Sequence, residues 1–323
     1  MSDLPKSVRI NEEGPREGFQ IEKGPIPTDR KIALIDSLSD TGLRQIQCVS
    51  FVNPKNVPGW ADAEAVTAGF KKRDGVSYTC LWLNDQGFKR AMASGRYDMA
   101  GRISLTASET FVKRNQNRTL RENYDAQSAS IALYKAHGLP VEKASIMAAF
   151  GCNFEGDMTN ERLTGFVGQI VEIAAANDVR IKSLSLADTM AWATPATIKR
   201  LVGAVRNRCP DLDLALHLHD TRGMGIANAY AGLEMGVATY DAAVAGLGGC
   251  PFAAHKSAAG NVCTEDLVFM CEEMGIATGV DLGKLVESAA LAEDIVGHPL
   301  PGSVKGGGTL SRLRAQIRAA KAA

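Results

Sequence analysis

The stretch LDLALHLHD, Leu212–Asp220, carries the pattern on which the fold prediction rests. Leucine occupies every second position, which is the period of a β-strand, and we predict a strand over Leu212–His219. Side chains two apart on a strand point to the same face, so we expect His217 and His219 to converge. Two converging imidazoles with a carboxylate beside them form half of a metal site. Ordinary hydrogen-bonded histidines are the alternative.

Outward from this strand, apolar strand candidates alternate with helical segments along almost the whole chain. The predicted strands are Val8–Glu12, Gln45–Val52, Val76–Leu83, Gly101–Ala107, Lys143–Phe150, Ile181–Ala187, Leu212–His219 and Tyr240–Ala245. The predicted helices are Thr28–Thr41, Ala61–Phe70, Asp85–Ala93, Asn115–His137, Thr159–Asn177, Pro195–Asn207 and Ile226–Met235, with capping signals at Thr28-Asp29 and Thr194-Pro195 and glycine stops at Gly42, Gly95, Gly138 and Gly236.

The chain beyond Thr264 supplies an eighth helix, and eight βα units predict an α/β fold of the (β/α)₈ TIM-barrel type. A doubly wound dinucleotide-binding sheet would carry a G-x-G-x-x-G turn after its first strand, and that turn is not there. No linker-like stretch divides the chain, so we predict one domain over residues 1–323. Its barrel would cover residues 8–277, and a C-terminal extension over residues 278–323 would place two helices, Asp281–Asp294 and Leu310–Ala322, outside the barrel.

Composition excludes several classes of function. The 323 residues carry 36 basic and 36 acidic side chains, a balance that does not favour a nucleic-acid groove or a membrane surface. The seven cysteines are scattered without CxxC spacing, which favours reduced thiols over a disulfide framework or a zinc knuckle. Because the N-terminus also lacks the apolar segment of a signal peptide, we predict a cytoplasmic protein.

Polar residues gather where the predicted strands end, which is the face of a barrel that carries the chemistry. These runs are Glu12–Gln20, Ser50–Lys55, Ser108–Thr110, Asp188-Thr189, the histidine pair, and GLGGCPFAAHKSAAGN over Gly246–Asn261. A purely structural protein has no need of polar residues at one end of every unit, so we predict an enzyme.

Six of these runs together resemble the 3-hydroxy-3-methylglutaryl-CoA lyases of the DRE-TIM metallolyase superfamily. They are GPREGFQIEK, SFVNPKNVP, ASETFVKRN, ADT, HLHDTRGMGIAN and GLGGCPFAAHKSAAGNVCTEDLVFM, in order, and the resemblance spans residues 8 to about 285. It implies a TIM barrel that binds Mg²⁺ or Mn²⁺. It also implies retro-aldol cleavage of a 3-hydroxyacyl-CoA, such as 3-hydroxy-3-methylglutaryl-CoA, to acetyl-CoA and a keto acid. We further expect a homodimer.

The resemblance also implies roles for individual residues. By this analogy the cation ligands are Glu17, His217, His219 and Asn261. Glu265 would order the site from behind them, with a cap of the helix at Thr264 as its alternative. Two imidazoles, an amide oxygen and a carboxylate suit Mg²⁺ or Mn²⁺, and the lack of thiolates argues against structural zinc.

Four further side chains are implied in the chemistry besides His217. Arg16 would stabilise the enolate oxygen or clamp a carboxylate, and Asp188 would assist proton transfer, with a helix cap as its alternative. Cys250, in the glycine-rich run, would act as general acid or base, whereas we interpret the other six cysteines as inert. Gln47 would hydrogen-bond Arg16 or the substrate. Candidates for binding CoA are Lys55, His255 and Lys256.

Two positions depart from the family pattern. The family's Arg-Asp-Gly is Arg16-Glu17-Gly18, so the ligand is one methylene longer, and the family's glutamate on the second strand is Gln47. We interpret these changes as the mark of a subgroup with a different acyl-CoA substrate, such as citramalyl-CoA. An isopropylmalate-synthase-like condensing enzyme and a non-catalytic binding protein on a degenerate barrel are the other hypotheses.

Overall fold

The computed structural model describes residues 4–22, 24–248 and 260–322. Strands and helices alternate in it as the sequence predicts. The strands are β1 Arg9–Glu12, β2 Gln45–Ser50, β3 Ser77–Leu81, β4 Gly101–Thr106, β5 Val141–Met147, β6 Gly151–Cys152, β7 Gly156–Asp157, β8 Ser183–Ala187, β9 Asp213–His217 and β10 Thr239–Ala242. The helices are α1 Gly14–Ile21, α2 Thr28–Ser39, α3 Ala63–Gly69, α4 Asp85–Ser94, α5 Glu109–Gln116, α6 Leu120–Ala136, α7 Asn160–Ala176, α8 Pro195–Arg208, α9 Gly225–Glu234, α10 Thr264–Glu273, α11 Leu282–Val296, α12 Val304–Gly307 and α13 Leu310–Ala322, with 3₁₀ turns at Pro58–Trp60 and Val244–Gly246.

Eight of these strands form one sheet, in the order β3-β2-β1-β10-β9-β8-β5-β4, and β6 and β7 form a small antiparallel hairpin. The chain divides into two compact units. Of the described residues, the first contains 4–9, 98–241 and 260–261, and the second contains 10–22, 24–97, 242–248 and 262–322. The prediction of a single domain stays a prediction.

In the first unit, parallel pairing aligns the ends of β8 and β9. Ala187 lies opposite His217 in the register of these two strands. The residue after Ala187 is Asp188, and its N–H donates to the His217 carbonyl at 2.8 Å. The ladder therefore fixes Asp188 beside the first histidine.

In the second unit, parallel pairing of β1 with β2 aligns Asn11 with Gln45 and Glu12 with Ile46. Gln47 is therefore the next residue along β2, at the level where β1 gives way to α1. Its exposed fraction is 5%, in a strand that is buried on both faces from Ile46 to Ser50.

Helix α1 was not predicted, because two glycines and a proline in GPREG read as a loop. Pro15 instead stands in the first helical turn, where its missing N–H costs nothing, and Glu17 lies in the same turn, near the positive end of the helix dipole. Arg16 and Glu17 are thus on a helix.

Other predicted boundaries need correction. The predicted helix Asn115–His137 is two helices, because Asn117 takes the left-handed conformation (φ 53°) and Thr119 starts α6 with a capping box. Thr28 does not cap α2; its hydroxyl donates to Asp62 at 2.7 Å. The signal at Thr194-Pro195 is confirmed by a capping box with Thr197.

The two C-terminal helices of the predicted extension behave differently. Helix α11 buries one face, including Leu285 and Ala289, and contacts α2 and the turn Val244–Gly246. Helix α13 buries none of its side chains against the described part of the chain, and the placement of both helices outside the barrel stays a prediction. In residues 4–22, 24–248 and 260–322, no helix has the length and apolar character to span a membrane.

Candidate active site

His217 and His219 converge as the alternation predicts. Their ring centroids are 5.1 Å apart, and the ring planes are nearly perpendicular. Strand β9 ends at His217, two residues before the predicted end, and His219 follows it in a single bridge to Asn261. The bridge places a third predicted ligand, Asn261, directly beside His219, and both are buried.

Hydrogen bonds at Nδ1 set the orientation of both imidazoles. His219 Nδ1 lies 2.7 Å from the carbonyl oxygen of Asp188, and His217 Nδ1 lies 3.3 Å from a carboxylate oxygen of Asp241. A carbonyl or carboxylate can only accept, so each neutral ring carries its proton on Nδ1. The Nε2 atoms then carry the lone pairs that a metal ion requires, in the arrangement typical of histidine ligands.

Asp188 is fully buried where β8 ends. Its Oδ1 accepts from the N–H groups of Trp192 and Ala193 at 2.6 and 3.0 Å, whereas Oδ2 has no hydrogen-bond partner among the residues the structure describes. Burial raises the pKa of this carboxyl to about 6, against the opposing effect of His219 nearby. It does not cap α8, whose N-cap is Thr194. Asp188 is therefore a buried carboxyl close to the histidines that can hold or release a proton near neutral pH.

Around Arg16, the second unit assembles a buried cluster on α1 and β2. Arg16 Nη2 donates to Glu13 at 2.7 Å and lies 3.1 Å from Glu17 Oε2, and Arg16 Nε donates to the amide oxygen of Gln47. The hydrogen bond expected between Gln47 and Arg16 is therefore present. Glu17 is buried, with an exposed fraction of 7%.

Behind this cluster, two buried carboxyls hold the turn Val244–Gly246. Glu12 accepts from the N–H groups of Gly14 and Val244 at 2.8 Å and from the Thr264 hydroxyl at 2.7 Å. Glu265 accepts from the Ala245 N–H at 2.9 Å, and burial raises its pKa to about 6.

Ala245 itself has φ 57°, a left-handed conformation that an alanine adopts only when its surroundings hold it there. Glu265 thus supports the backbone of the turn Val244–Gly246. Its place behind the cation ligands stays a prediction.

The remaining predicted residues divide into two groups. Lys55 is exposed in a turn after β2, where its N–H donates to Asn53. Cys250, His255 and Lys256 lie outside the described residues. The six other cysteines are free thiols, as predicted, and five of them are buried: Cys48, Cys80, Cys152, Cys263 and Cys271.

The sequence interpretation missed three supporting residues: Asp241, Glu12 and Glu13. Asp241 has a signal in hindsight, since it lies in a predicted strand next to the histidine strand and is paired in register with His217. Glu12 and Glu13 are visible as polar residues at a strand end, but nothing in their spacing shows which partners they have.

Comparison with known proteins shows the family of the chain. The HMGL-like family profile matches residues 7–292. The mitochondrial hydroxymethylglutaryl-CoA lyase of Rattus norvegicus is 40% identical over 288 residues, covering 89% of this chain and 85% of that protein. The cytoplasmic 3-hydroxy-3-methylglutaryl-CoA lyase of Danio rerio is 41% identical over 285 residues, covering 88% and 82%.

A solved structure extends the comparison to the fold. The HMG-CoA lyase from Acinetobacter baumannii, in complex with coenzyme A and 3-methylmalate, superposes with a TM-score of 0.84 and 34% identity, over 96% of this chain and 97% of that chain. The predicted (β/α)₈ TIM-barrel class is thereby confirmed. With this profile match and these identities, the chain belongs to the HMGL-like family.

Proposed function

We propose that this protein is a divalent-cation-dependent carbon–carbon lyase that cleaves a 3-hydroxyacyl-CoA by a retro-aldol reaction. Its substrate would be 3-hydroxy-3-methylglutaryl-CoA or a related compound such as citramalyl-CoA, and its products acetyl-CoA and a keto acid. One observation carries the proposal: His217 and His219 converge, with ring centroids 5.1 Å apart, and His219 forms a bridge with Asn261, so three of the four predicted ligands lie together. The names of the relatives and the coenzyme A complex support the substrate class.

The donor set fits a hard or borderline divalent cation. A carboxylate oxygen from Glu17 and imidazole nitrogens from His217 and His219 would be joined by the amide oxygen of Asn261, which gives a site for Mg²⁺ or Mn²⁺. When bound, such a cation lowers the pKa of a hydroxyl and polarises a carbonyl oxygen.

The protein's own side chains supply positioning and proton transfer. Arg16, fixed by Glu13 and Gln47, would hold a substrate carboxylate or the thioester oxygen through its guanidinium. Asp188, whose pKa burial raises to about 6, would hold the hydroxyl proton on its carboxyl.

The remaining roles rest on the family pattern. Cys250 would exchange a proton at carbon two, and Glu265 would support the turn before it. Lys55, His255 and Lys256 would meet the CoA phosphates.

The proposal extends to assembly and location. A homodimer is proposed from the family resemblance alone. A cytoplasmic location is supported by the cytoplasmic relative from Danio rerio, whereas the relative from Rattus norvegicus is mitochondrial.

A panel of hydroxyacyl-CoA substrates with added Mn²⁺ or Mg²⁺ tests the proposal, with acyl-CoA and keto-acid products measured by mass spectrometry. We expect cleavage of at least one member, and we expect His219→Ala to lower kcat/KM by roughly 100-fold or more, because a ligand is lost. His137→Ala is the matched control, since His137 is exposed at the end of α6.

Two outcomes would refute the lyase. One is the absence of cleavage across the panel; the other is condensation of acetyl-CoA with a keto acid without the reverse cleavage, which is the behaviour of a synthase. Unchanged turnover in His219→Ala would refute the ligand assignment.

A further inference from the structure

In the described structure, the Arg16 guanidinium contacts several polar side chains at once. Its Nη2 donates to Glu13 Oε2 at 2.7 Å and lies 3.1 Å from Glu17 Oε2, so both carboxylates draw on one nitrogen. Nε donates to the neutral amide of Gln47. The side chains of Arg16, Glu13 and Glu17 are at most 13% exposed, which makes their charges costly unless they are paired.

Glu13 is the N-cap residue of α1, and its side chain makes no capping hydrogen bond with the helix. An acceptor at this position commonly satisfies the N–H groups of the first turn. Here the carboxylate, 6% exposed, turns to Arg16 three residues ahead. The negative charge of Glu13 therefore lies against the guanidinium and not against the first turn of the helix.

We propose that Glu13 is the positioning residue for Arg16 and that it forms a matched pair with Gln47, in which position 13 carries the charge and position 47 carries a neutral acceptor. This inference rests on the proposed function, because Arg16 acts on substrate only there. Glu13, being the closer carboxylate to Nη2, holds the guanidinium away from full pairing with Glu17. That leaves Glu17 able to serve as a cation ligand.

The balance of charge explains why the two positions are matched. Among the side chains of Glu13, Arg16, Glu17 and Gln47, two carboxylates and one guanidinium carry one excess negative charge. A carboxylate at position 47 would add a second, and in a buried cluster like charges repel strongly or force one carboxyl to keep a proton. An amide at position 13 would remove this excess and leave the guanidinium closer to pairing fully with Glu17. Exchanging both residues leaves the net charge of the cluster unchanged.

A double-mutant cycle tests the pair, using Glu13→Gln, Gln47→Glu and the exchanged variant that carries both changes. Each single change is expected to lower kcat/KM by about 10- to 100-fold, which is the range for losing or opposing a charged hydrogen bond. The exchanged variant is expected to recover to within about fivefold of the starting protein, because coupled positions do not add. The affinity for Mn²⁺, measured by calorimetry, should also fall in Glu13→Gln, because Arg16 would then compete with the cation for Glu17.

A second readout is independent of activity. Thermal unfolding of the metal-free protein should show the same coupling: the exchanged variant should unfold at least about 2 °C higher than the sum of the single changes predicts. Asp62→Asn is the matched control. Asp62 pairs with the buried Lys31 of α2 at 2.6 Å, so the substitution should lower the unfolding temperature without changing KM.

Two results would overturn the inference: losses that multiply in the exchanged variant, or full activity in Glu13→Gln. If the starting protein cleaves no substrate, the proposed function fails, while the thermal cycle still decides whether Glu13 and Gln47 are coupled through Arg16.

Discussion

The carboxyl group of Glu12 is fully buried and accepts its three hydrogen bonds from neutral donors, two N–H groups and a hydroxyl. Burial raises its pKa from 4.5 to about 8, although the hydrogen bonds from Thr264, Val244 and Gly14 oppose the shift. Between these two values the unfolded chain loses the proton and the folded chain keeps it. The folded state then binds more protons, so the free energy of unfolding falls as the pH rises from about 4.5 to about 8.

Glu12→Gln should remove this pH dependence. The amide is isosteric, keeps an acceptor for Gly14 and Val244, and carries no proton to lose. We expect the free energy of unfolding of the variant to rise relative to that of the starting protein as the pH rises. The gain should be roughly 1 kcal/mol for each pH unit between the two pKa values, and a few kcal/mol in total. Urea unfolding at intervals from pH 5 to 8 measures it.

The interval from pH 6.5 to 8 is the most informative. Asp188 and Glu265, with pKa values raised to about 6, have lost most of their protons there in both proteins. Glu287→Gln, at an exposed carboxylate on α11, serves as control. Stability profiles that stay parallel for Glu12→Gln and the starting protein would mean that Glu12 is ionised in the fold.

At the scale of elements, helix α1 depends on the short turn Pro58–Trp60 for its position. The Trp60 indole donates to the Arg16 carbonyl at 2.9 Å, and its ring lies 6.3 Å from that of Phe19. A Cβ on Gly59 would come within 2.4 Å of the Phe19 carbonyl oxygen. Contact this close means that α1 and the turn have no room between them, so the turn sets where Arg16 and Glu17 stand.

Gly59→Ala should therefore displace α1. We expect a loss of about 1–3 kcal/mol in the free energy of unfolding, as for overpacking elsewhere, together with weaker Mn²⁺ binding. Gly165→Ala is the control: a Cβ there meets open space on α7, and replacing a helical glycine should add about 0.5–1 kcal/mol. Calorimetry and urea unfolding check both variants. A Gly59→Ala protein with unaltered Mn²⁺ affinity would show that the helix tolerates the displacement.

The same elements show what the sequence could predict. Strand β9 and the convergence of its histidines follow from alternation, because period and side-chain direction are local properties. Helix α1 could not be predicted, because glycine and proline in GPREG mark a loop unless a surface exists for the segment to pack on, and that surface, Pro58–Trp60, lies about forty residues away in the sequence. The partners of Arg16 depend on the same packing. Local chemistry was readable in advance, and long-range pairing was not.

At the scale of the molecule, the two helices of the predicted C-terminal extension differ in how much surface they bury. Helix α11 buries Leu285, Ser288 and Ala289, and the Ser288 hydroxyl lies 2.7 Å from that of Ser37 on α2. Helix α13, by contrast, is exposed along its whole length. Leu313 and Ile317 on it are 49% and 47% exposed, and a surface ion pair between Arg314 and Glu273 joins it to α10.

Deleting residues 309–323 should therefore change the stability of the fold very little. Exposed ion pairs contribute about 0–1 kcal/mol, and α13 buries no side chain in the described structure, so we expect the unfolding temperature to fall by less than about 2 °C and kcat/KM to stay within about twofold. The matched deletion from residue 281 onward removes α11 as well and should prevent folding, because it exposes the buried face against α2. Calorimetry together with light scattering measures both. If the shorter deletion instead lowers the unfolding temperature strongly and halves the particle mass, the apolar residues of α13 are covered by a second copy of the chain.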